Sequence, residues 1–385
     1  MREYLLVFLV AAAATYLLTV IAREIAVRTG AVARVRDRDV HAEPIPYLGG
    51  LAMLGGLIAA FVVAQQLPFL STRGGPFVFH DARIVLIAGA MICAVGTLDD
   101  LFELDALTKL GGQVLAAGFL IFNGIQYTFF PQSHGGQFVL DPAQGALLTA
   151  FIVVATMNAV NMVDGLDGLA TGVVGIGALA FFAFCYQLLS LNNASLASTG
   201  ALLSAMLAGA CAGFLPHNIN PARLFMGDSG SMLIGLVLSA SAITLTGQYS
   251  GSDLSKGAMG SPASLAPTFL PLALPVLLLV VPIADLVLAV IRRTRAGRSP
   301  FAPDKQHLHH RLLEIGHSQR RAVLIMWMWA ALVAGSTVVI SLYTGPLMWS
   351  LIGLATVVTV VLTFLLPVLH RPHLPGHDLP GAEGA

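Results

Sequence analysis

The chain has 385 residues, of which 56% are hydrophobic and 10% charged, with a mean hydropathy of +0.82. A soluble domain carries roughly 25% charged residues, so this composition excludes a cytosolic globular enzyme, a secreted disulfide scaffold and a disordered chain. Twenty basic residues balance twenty acidic ones, and nothing in that balance points to nucleic acid.

The apolar residues gather in eleven segments, near 4–22, 48–67, 83–98, 110–122, 143–160, 168–190, 195–215, 229–247, 269–291, 322–343 and 347–369. Most are about 20 residues long, enough for a helix to cross ~30 Å of hydrocarbon and twice too long for tilted barrel strands. A chain in lipid must satisfy its own backbone hydrogen bonds. The expected fold is therefore an all-α polytopic membrane protein of about eleven transmembrane helices. The first segment follows a weak n-region, Arg2 and Glu3, and is too long for a signal-peptide core, so it reads as a retained span. Cys93, Cys185 and Cys211 lie inside apolar segments without paired spacing, which indicates neither a disulfide framework nor a thiolate metal site. Alternating apolar residues near 125–141 predict a small hairpin in an external connection. Residues 1–369 read as one integral-membrane domain, and 370–385, rich in Pro, Gly and His, as a disordered cytoplasmic tail.

An odd number of spans puts the two ends on opposite sides. With the N-terminus outside, sixteen of the twenty Lys and Arg residues fall in inward connections, which sets the orientation and leaves the C-terminus in the cytoplasm. The inward loops, near 23–47, 99–109, 158–168, 216–228 and 292–321, also hold the unusual polar runs. Any one of them could be an ordinary solvated loop; five on one face argue for a composite site.

Asp99-Asp100 follows an apolar segment, where two adjacent carboxylates are costly unless one pairs, binds a metal or holds a proton; a solvated helix end beside Lys109 is the plainer account. Asn158, Asn161, Asp164 and Asp167 recur every three residues, a drifting stripe if the segment is helical, with Gly165 and Gly168 suiting a turn or the approach of a ligand. Such amides and carboxylates could serve a nucleotide, a ribose or a divalent cation. Gly227-Asp228-Ser229-Gly230-Ser231 opens the next span, where backbone N–H groups could hold phosphate and Asp228 could hold Mg²⁺; a Gly/Ser turn capping a helix fits it as well. His307, His309, His310 and Arg311 sit among other basic residues and look more like an anion site than a zinc site. A second basic stretch carries Arg34, Arg36, Arg38 and His41 ahead of Gly49-Gly50, and lipid headgroups are an equal claimant for it. Asp285, inside the ninth segment, is either functional or a helix–helix pairing.

These runs, in this order from about His41 to Ser318, resemble the polyprenyl-phosphate N-acetylhexosamine-1-phosphate transferase family of WecA-, TagO- and MraY-type enzymes. The most specific are the Asn-x-x-Asn-x-x-Asp-Gly-x-Asp-Gly-Leu run from Asn158 and the Phe-Met-Gly-Asp-x-Gly-Ser run around Asp228. The resemblance implies ten or eleven helices, an outside N-terminus, a cytoplasmic active site and residence in the bacterial plasma membrane. The His-x-His-His spacing and Tyr47-Leu48-Gly49-Gly50 resemble the WecA-type branch. That implies transfer of GlcNAc-1-phosphate from UDP-GlcNAc to undecaprenyl or decaprenyl phosphate, with Mg²⁺, or Mn²⁺ in its place, as cofactor. An Arg- and Ala-rich composition adds an actinobacterial, decaprenyl-using enzyme as the nearest match. By the same resemblance, Asp228 is the metal ligand with Asn161 assisting. Asp99, Asp100, His307, His309 and His310 are catalytic, and His41, Lys109, Asp164, Asp167, Asn218 and Arg311 bind substrate. A homodimer is the entertained oligomeric state. The alternatives are a phospho-muramoyl-pentapeptide transferase of the MraY type and, from another class, an ion-coupled transporter, which would put its polar residues near the bilayer midplane.

Overall fold

Residues 1–30, 32, 45–73, 76–131, 137–192, 197–246, 294–295, 297, 317–342 and 345–369 are described by the computed structural model of the chain. In chain order their elements are α1 (Arg2–Thr29), α2 (Gly49–Ala64), α3 (Pro68–Arg73), α4 (Pro76–Phe102), α5 (Ala106–Phe122), β1 (Phe129–Pro131), β2 (Gln137–Val139), α6 (Pro142–Val163), α7 (Leu169–Asn192), α8 (Ser198–Asn218), α9 (Gly227–Thr246), α10 (Gln319–Leu342) and α11 (Pro346–Leu369). Eight of these helices are long and apolar enough to cross a membrane, and α2 and α5 are shorter apolar helices of 16 and 17 residues. The polytopic all-α architecture is as expected. The ninth predicted segment, with Asp285, and the tail beyond 369 lie outside the described residues.

Helices α8 and α9 form the centre and are almost wholly buried. Around them, α1 packs on α8 and α2, α4 and α6 pack on α9, and α7 packs on α8 and α10. Lipid supplies no hydrophobic drive between helices, so close backbone approach must hold them, and small residues permit it. A Cβ at Gly209 or Gly213 of α8 would strike the carbonyls of Phe8 and Ala12 on α1. The inward face of α1 carries Tyr4, Val7, Ala11, Thr15, Thr19, Ala22 and Ala26, the three- and four-residue spacing of one helix face. Cys93, Cys185 and Cys211 are buried and free.

Element ends follow local chemistry. Asp141 opens α6 with a capping box to Gln144 and a proline in the first turn. The hairpin pairs Phe129 with Val139 and Pro131 with Gln137 inside the stretch predicted for it. Three predicted boundaries change. Helix α4 begins about two turns before the predicted segment and runs through Asp99-Asp100, and the short α3 precedes it. Helix α5 begins at Ala106 because Asp105 caps it, accepting from the backbone N–H of Leu107 and Thr108 at 2.9 and 3.0 Å. Lys109 is thus helical, and the predicted 99–109 loop shrinks to about three residues.

Candidate active site

The ends of α4 and α6 and the starts of α2, α5 and α9 meet at one end of the bundle. Helix α9 begins where Gly227 takes φ +69°, a left-handed turn that glycine adopts without strain. Asp228 follows, and its two carboxylate oxygens are taken by two different helices. Asn161 Nδ2 of α6 donates to Oδ1 at 2.8 Å, and the Lys109 ammonium of α5 pairs with Oδ2. The same ammonium lies 2.7 Å from Asp99 Oδ2 of α4, so one cation sits between two carboxylates. Asn161 also donates to Ser231 Oγ at 2.9 Å.

Asp100 does something different from Asp99. Its oxygens accept from the backbone N–H groups of Asp228 (2.8 Å) and Ser229 (3.2 Å), so it caps α9 from a neighbouring helix. The fit is close: a Cβ on Gly227 would run into the Asp100 carboxylate, and one on Gly96 would meet the backbone of Ser229. Residues 46–50 press on the same turn. Phe225 N donates to Pro46 O, and Gly49 and Gly50 donate to the carbonyls of Phe225 and Met226, at 2.9–3.1 Å.

The three-residue series does not continue as one helical stripe. Helix α6 ends at Val163, Asp164 is its C-cap residue, and the turn closes at Gly168 with φ +77°. Asn158 and Asn161 remain helical, whereas Asp164 and Asp167 separate. Asp164 stays at the site. Enclosure of its carboxyl, reinforced by the charges of Asp228, Asp100 and Asp167, pushes its pKa up to about 8. Asp167 turns to the other side, is 3% exposed, and accepts from Asn220 Nδ2 and Ala222 N, both at 3.0 Å. Asn218 is engaged likewise: its Oδ1 accepts from Gly168 N (3.1 Å) and Thr171 Oγ1 (3.0 Å), and its Nδ2 donates to Leu224 O (3.2 Å). Both side chains brace the 219–226 loop that delivers Gly227-Asp228.

Of the predicted residues, Asp99, Asp100, Lys109, Asn161, Asp164 and Asp228 therefore come together, and Asp167 and Asn218 stand behind them. His41, His307, His309, His310 and Arg311 lie outside the described residues. Sequence reasoning passed over Asp105, whose Asp-x-x-Thr start is a readable capping signal and which places Lys109 one turn into α5. It also passed over Ser231, although that serine lies in the quoted Gly-Asp-Ser-Gly-Ser run.

The donor set suits a hard cation. Asp99 and Asp228 share the single ammonium of Lys109, and the carboxyls of Asp100 and Asp164 lie close enough to Asp228 to feel its charge. No group of three His, Cys, Asp or Glu closes on one point among those residues. Asp228 and Asp99 are the residues that could hold Mg²⁺, a cation that takes one or two protein carboxylates and completes its shell with substrate phosphates and water.

The sequence profile described as "Glycosyl transferase family 4" matches residues 82–246, from early α4 to the end of α9. The decaprenyl-phosphate N-acetylglucosaminephosphotransferase of Mycolicibacterium smegmatis is 46% identical over 375 residues, 96% of this chain and 90% of the relative. The protein of the same name from Mycobacterium tuberculosis is 47% identical with the same coverage. The undecaprenyl-phosphate alpha-N-acetylglucosaminyl 1-phosphate transferase of Escherichia coli is 28% identical over 328 residues, 83% of this chain and 79% of the relative. With the convergent Asp, Asn and Lys residues inside the matched region, the chain belongs to glycosyl transferase family 4, among its polyprenyl-phosphate N-acetylhexosamine-1-phosphate transferases.

Proposed function

We propose that the protein transfers N-acetylglucosamine 1-phosphate from UDP-GlcNAc to a polyprenyl phosphate, decaprenyl phosphate first among them. A lipid-phosphate oxygen attacks the sugar-linked phosphorus, the bond to the bridging oxygen breaks, and UMP leaves with that oxygen. The products are polyprenyl-diphospho-GlcNAc and UMP. The lipid acceptor and the transferred group follow the names of the mycobacterial relatives, and the UDP donor follows from the family. The observation that carries the chemistry is the Asp99–Lys109–Asp228 arrangement at the rim of the bundle. By the same reading the site faces the cytoplasm of the bacterial plasma membrane, since sixteen of twenty basic residues fall on that side. Mass in detergent would test association into a homodimer.

Each residue has a task in this scheme. The lipid phosphate, with a second pKa near ~6, is largely dianionic at neutral pH and needs no strong base, so Asp99 orients it or accepts a last proton. Lys109 offers its ammonium to the incoming phosphate oxygens, and Asn161 steadies Asp228. Asp164, at the same rim, presents its carboxyl to the nucleotide sugar. Asp228, with Asn161 assisting, would hold Mg²⁺, which when bound offsets charge on the diphosphate and the departing UMP. Without a cation, a site this rich in carboxylates would repel a diphosphate.

Purified protein with Mg²⁺, a short polyprenyl phosphate and UDP-GlcNAc should release UMP only when the lipid is present. Asp228→Asn should lower turnover by at least ~100-fold. Unchanged turnover in that variant would sink the role given to Asp228. UMP release with the muramoyl-pentapeptide nucleotide and not with UDP-GlcNAc would reassign the donor.

A further inference from the structure

Asp228 is gripped at both oxygens by donors from α5 and α6. The same three helices meet a second time, one turn deeper. Gln113 stands four residues after Lys109, Asn158 three before Asn161, and Met232 four after Asp228. Because α6 runs opposite to α5 and α9, all three offsets lead away from the rim, and each keeps to the helix face used above. Asn158 Nδ2 donates to Gln113 Oε1 at 2.7 Å, and Gln113 Nε2 reaches back to Asn158 Oδ1 at 3.4 Å and to Met232 Sδ at 3.3 Å. Gln113 is 2% exposed, and the other amide hydrogen of Asn158 goes to Val154 O at 2.8 Å.

We propose that Gln113 and Asn158 are positioning residues that set the axial register of α5 and α6 against α9, and so the spacing of Lys109, Asn161 and Asp228. Apolar packing between helices in lipid is weakly directional, whereas a reciprocal amide pair forms at one register. A slide of α5 that drew Lys109 from Asp228 would also break the lower contact, so neither layer moves alone. Among the described residues neither amide hydrogen-bonds to Asp99, Lys109 or Asp228; they act through Lys109 and Asn161. The proposal rests on the transferase reading only for its turnover measurement.

The test pairs that measurement with one that needs no turnover. Spin labels at Leu107→Cys and Met162→Cys, exposed sites near the inner ends of α5 and α6, report the distance between the helices, and the native cysteines are buried. The unbraced variants Gln113→Leu and Asn158→Leu should broaden or shift a narrow distribution. They should also lower kcat on the order of tenfold while the KM for UDP-GlcNAc stays within about twofold. The exchanged pair, Gln113→Asn with Asn158→Gln, should recover both readouts. An unchanged distribution with unchanged kcat in the single variants overturns the proposal, as does a loss confined to KM or an exchanged pair no better than either single. If no UDP-sugar is turned over at all, the transferase reading fails and the spectra still decide the brace.

Discussion

Adjacent or evenly spaced carboxylates of this chain do unlike work because their surroundings differ. Asp99 pairs with an ammonium, whereas Asp100 receives two backbone N–H groups. Asp164 and Asp167 diverge the same way, and the raised pKa of Asp164 has a consequence for stability. A carboxyl at about 8 in the folded protein and near the ordinary 3.8 when unfolded takes up a proton on folding between those values. Stability therefore falls as pH rises through that window, and the contribution is flat outside it. Asp164→Asn removes this dependence. In chelator, its melting temperature should match the parent near pH 4, rise above it with pH, and level off above pH 8. Melting curves at five or six pH values would check it, and a constant offset would show an ordinary carboxylate.

Among elements, the contact of α1 with α8 depends on glycine at two positions one turn apart. Gly213→Ala should cost about 1–3 kcal/mol, because the new methyl meets the Ala12 carbonyl and two backbones must part. Gly118→Ala on exposed α5 meets nothing within 4 Å among the described residues and should be neutral or stabilising by up to ~1 kcal/mol, from helix propensity alone. Denaturation of both variants in one detergent gives the comparison; equal effects would deny that the close approach matters. The ends of elements were partly legible. Asp141 followed by Pro142 marks a helix start in any context, and so does Asp105 with Thr108. The end of α6 was not, because three-residue spacing suits a helix and a turn equally, and the contacts of Gly168 with Asn218 and of Asp167 with Asn220 and Ala222 decided between them.

Across the whole molecule, the last part of the described chain is tied to the site through the 219–226 loop. Asn220 donates to Asp167 Oδ2 (3.0 Å) and to Gln319 Oε1 (2.8 Å), and Arg320 Nε donates to the Asn220 carbonyl (3.0 Å). These contacts join residues about fifty and a hundred positions apart and hold the loop that ends at Gly227. Asp167→Ala should therefore lower kcat by ~10-fold or more with little change in the KM for UDP-GlcNAc, since it loosens the delivery of Asp228. A rise in KM at constant kcat would instead mean that Asp167 binds the nucleotide sugar directly. The measurement is a substrate titration at saturating lipid.

The amino-acid order by itself determined that the chain is a bundle of membrane helices, because scarce charge and apolar runs of about 20 residues permit little else in lipid. It also determined which polar runs would carry the chemistry, since polar groups beside hydrocarbon are costly enough to need a reason. Which member of each run faces the reacting centre was settled only by tertiary structure. Asp99 and Asp100 differ by one residue, about a hundred degrees around a helix, and that angle has no meaning until α5 and α9 are in place. Likewise, Gln113 is an unremarked amide in an apolar segment until Asn158 and Met232 arrive beside it from 45 and 119 residues away. Partners so distant along the chain leave no local signal, because their spacing is fixed by packing and not by helical or strand periodicity.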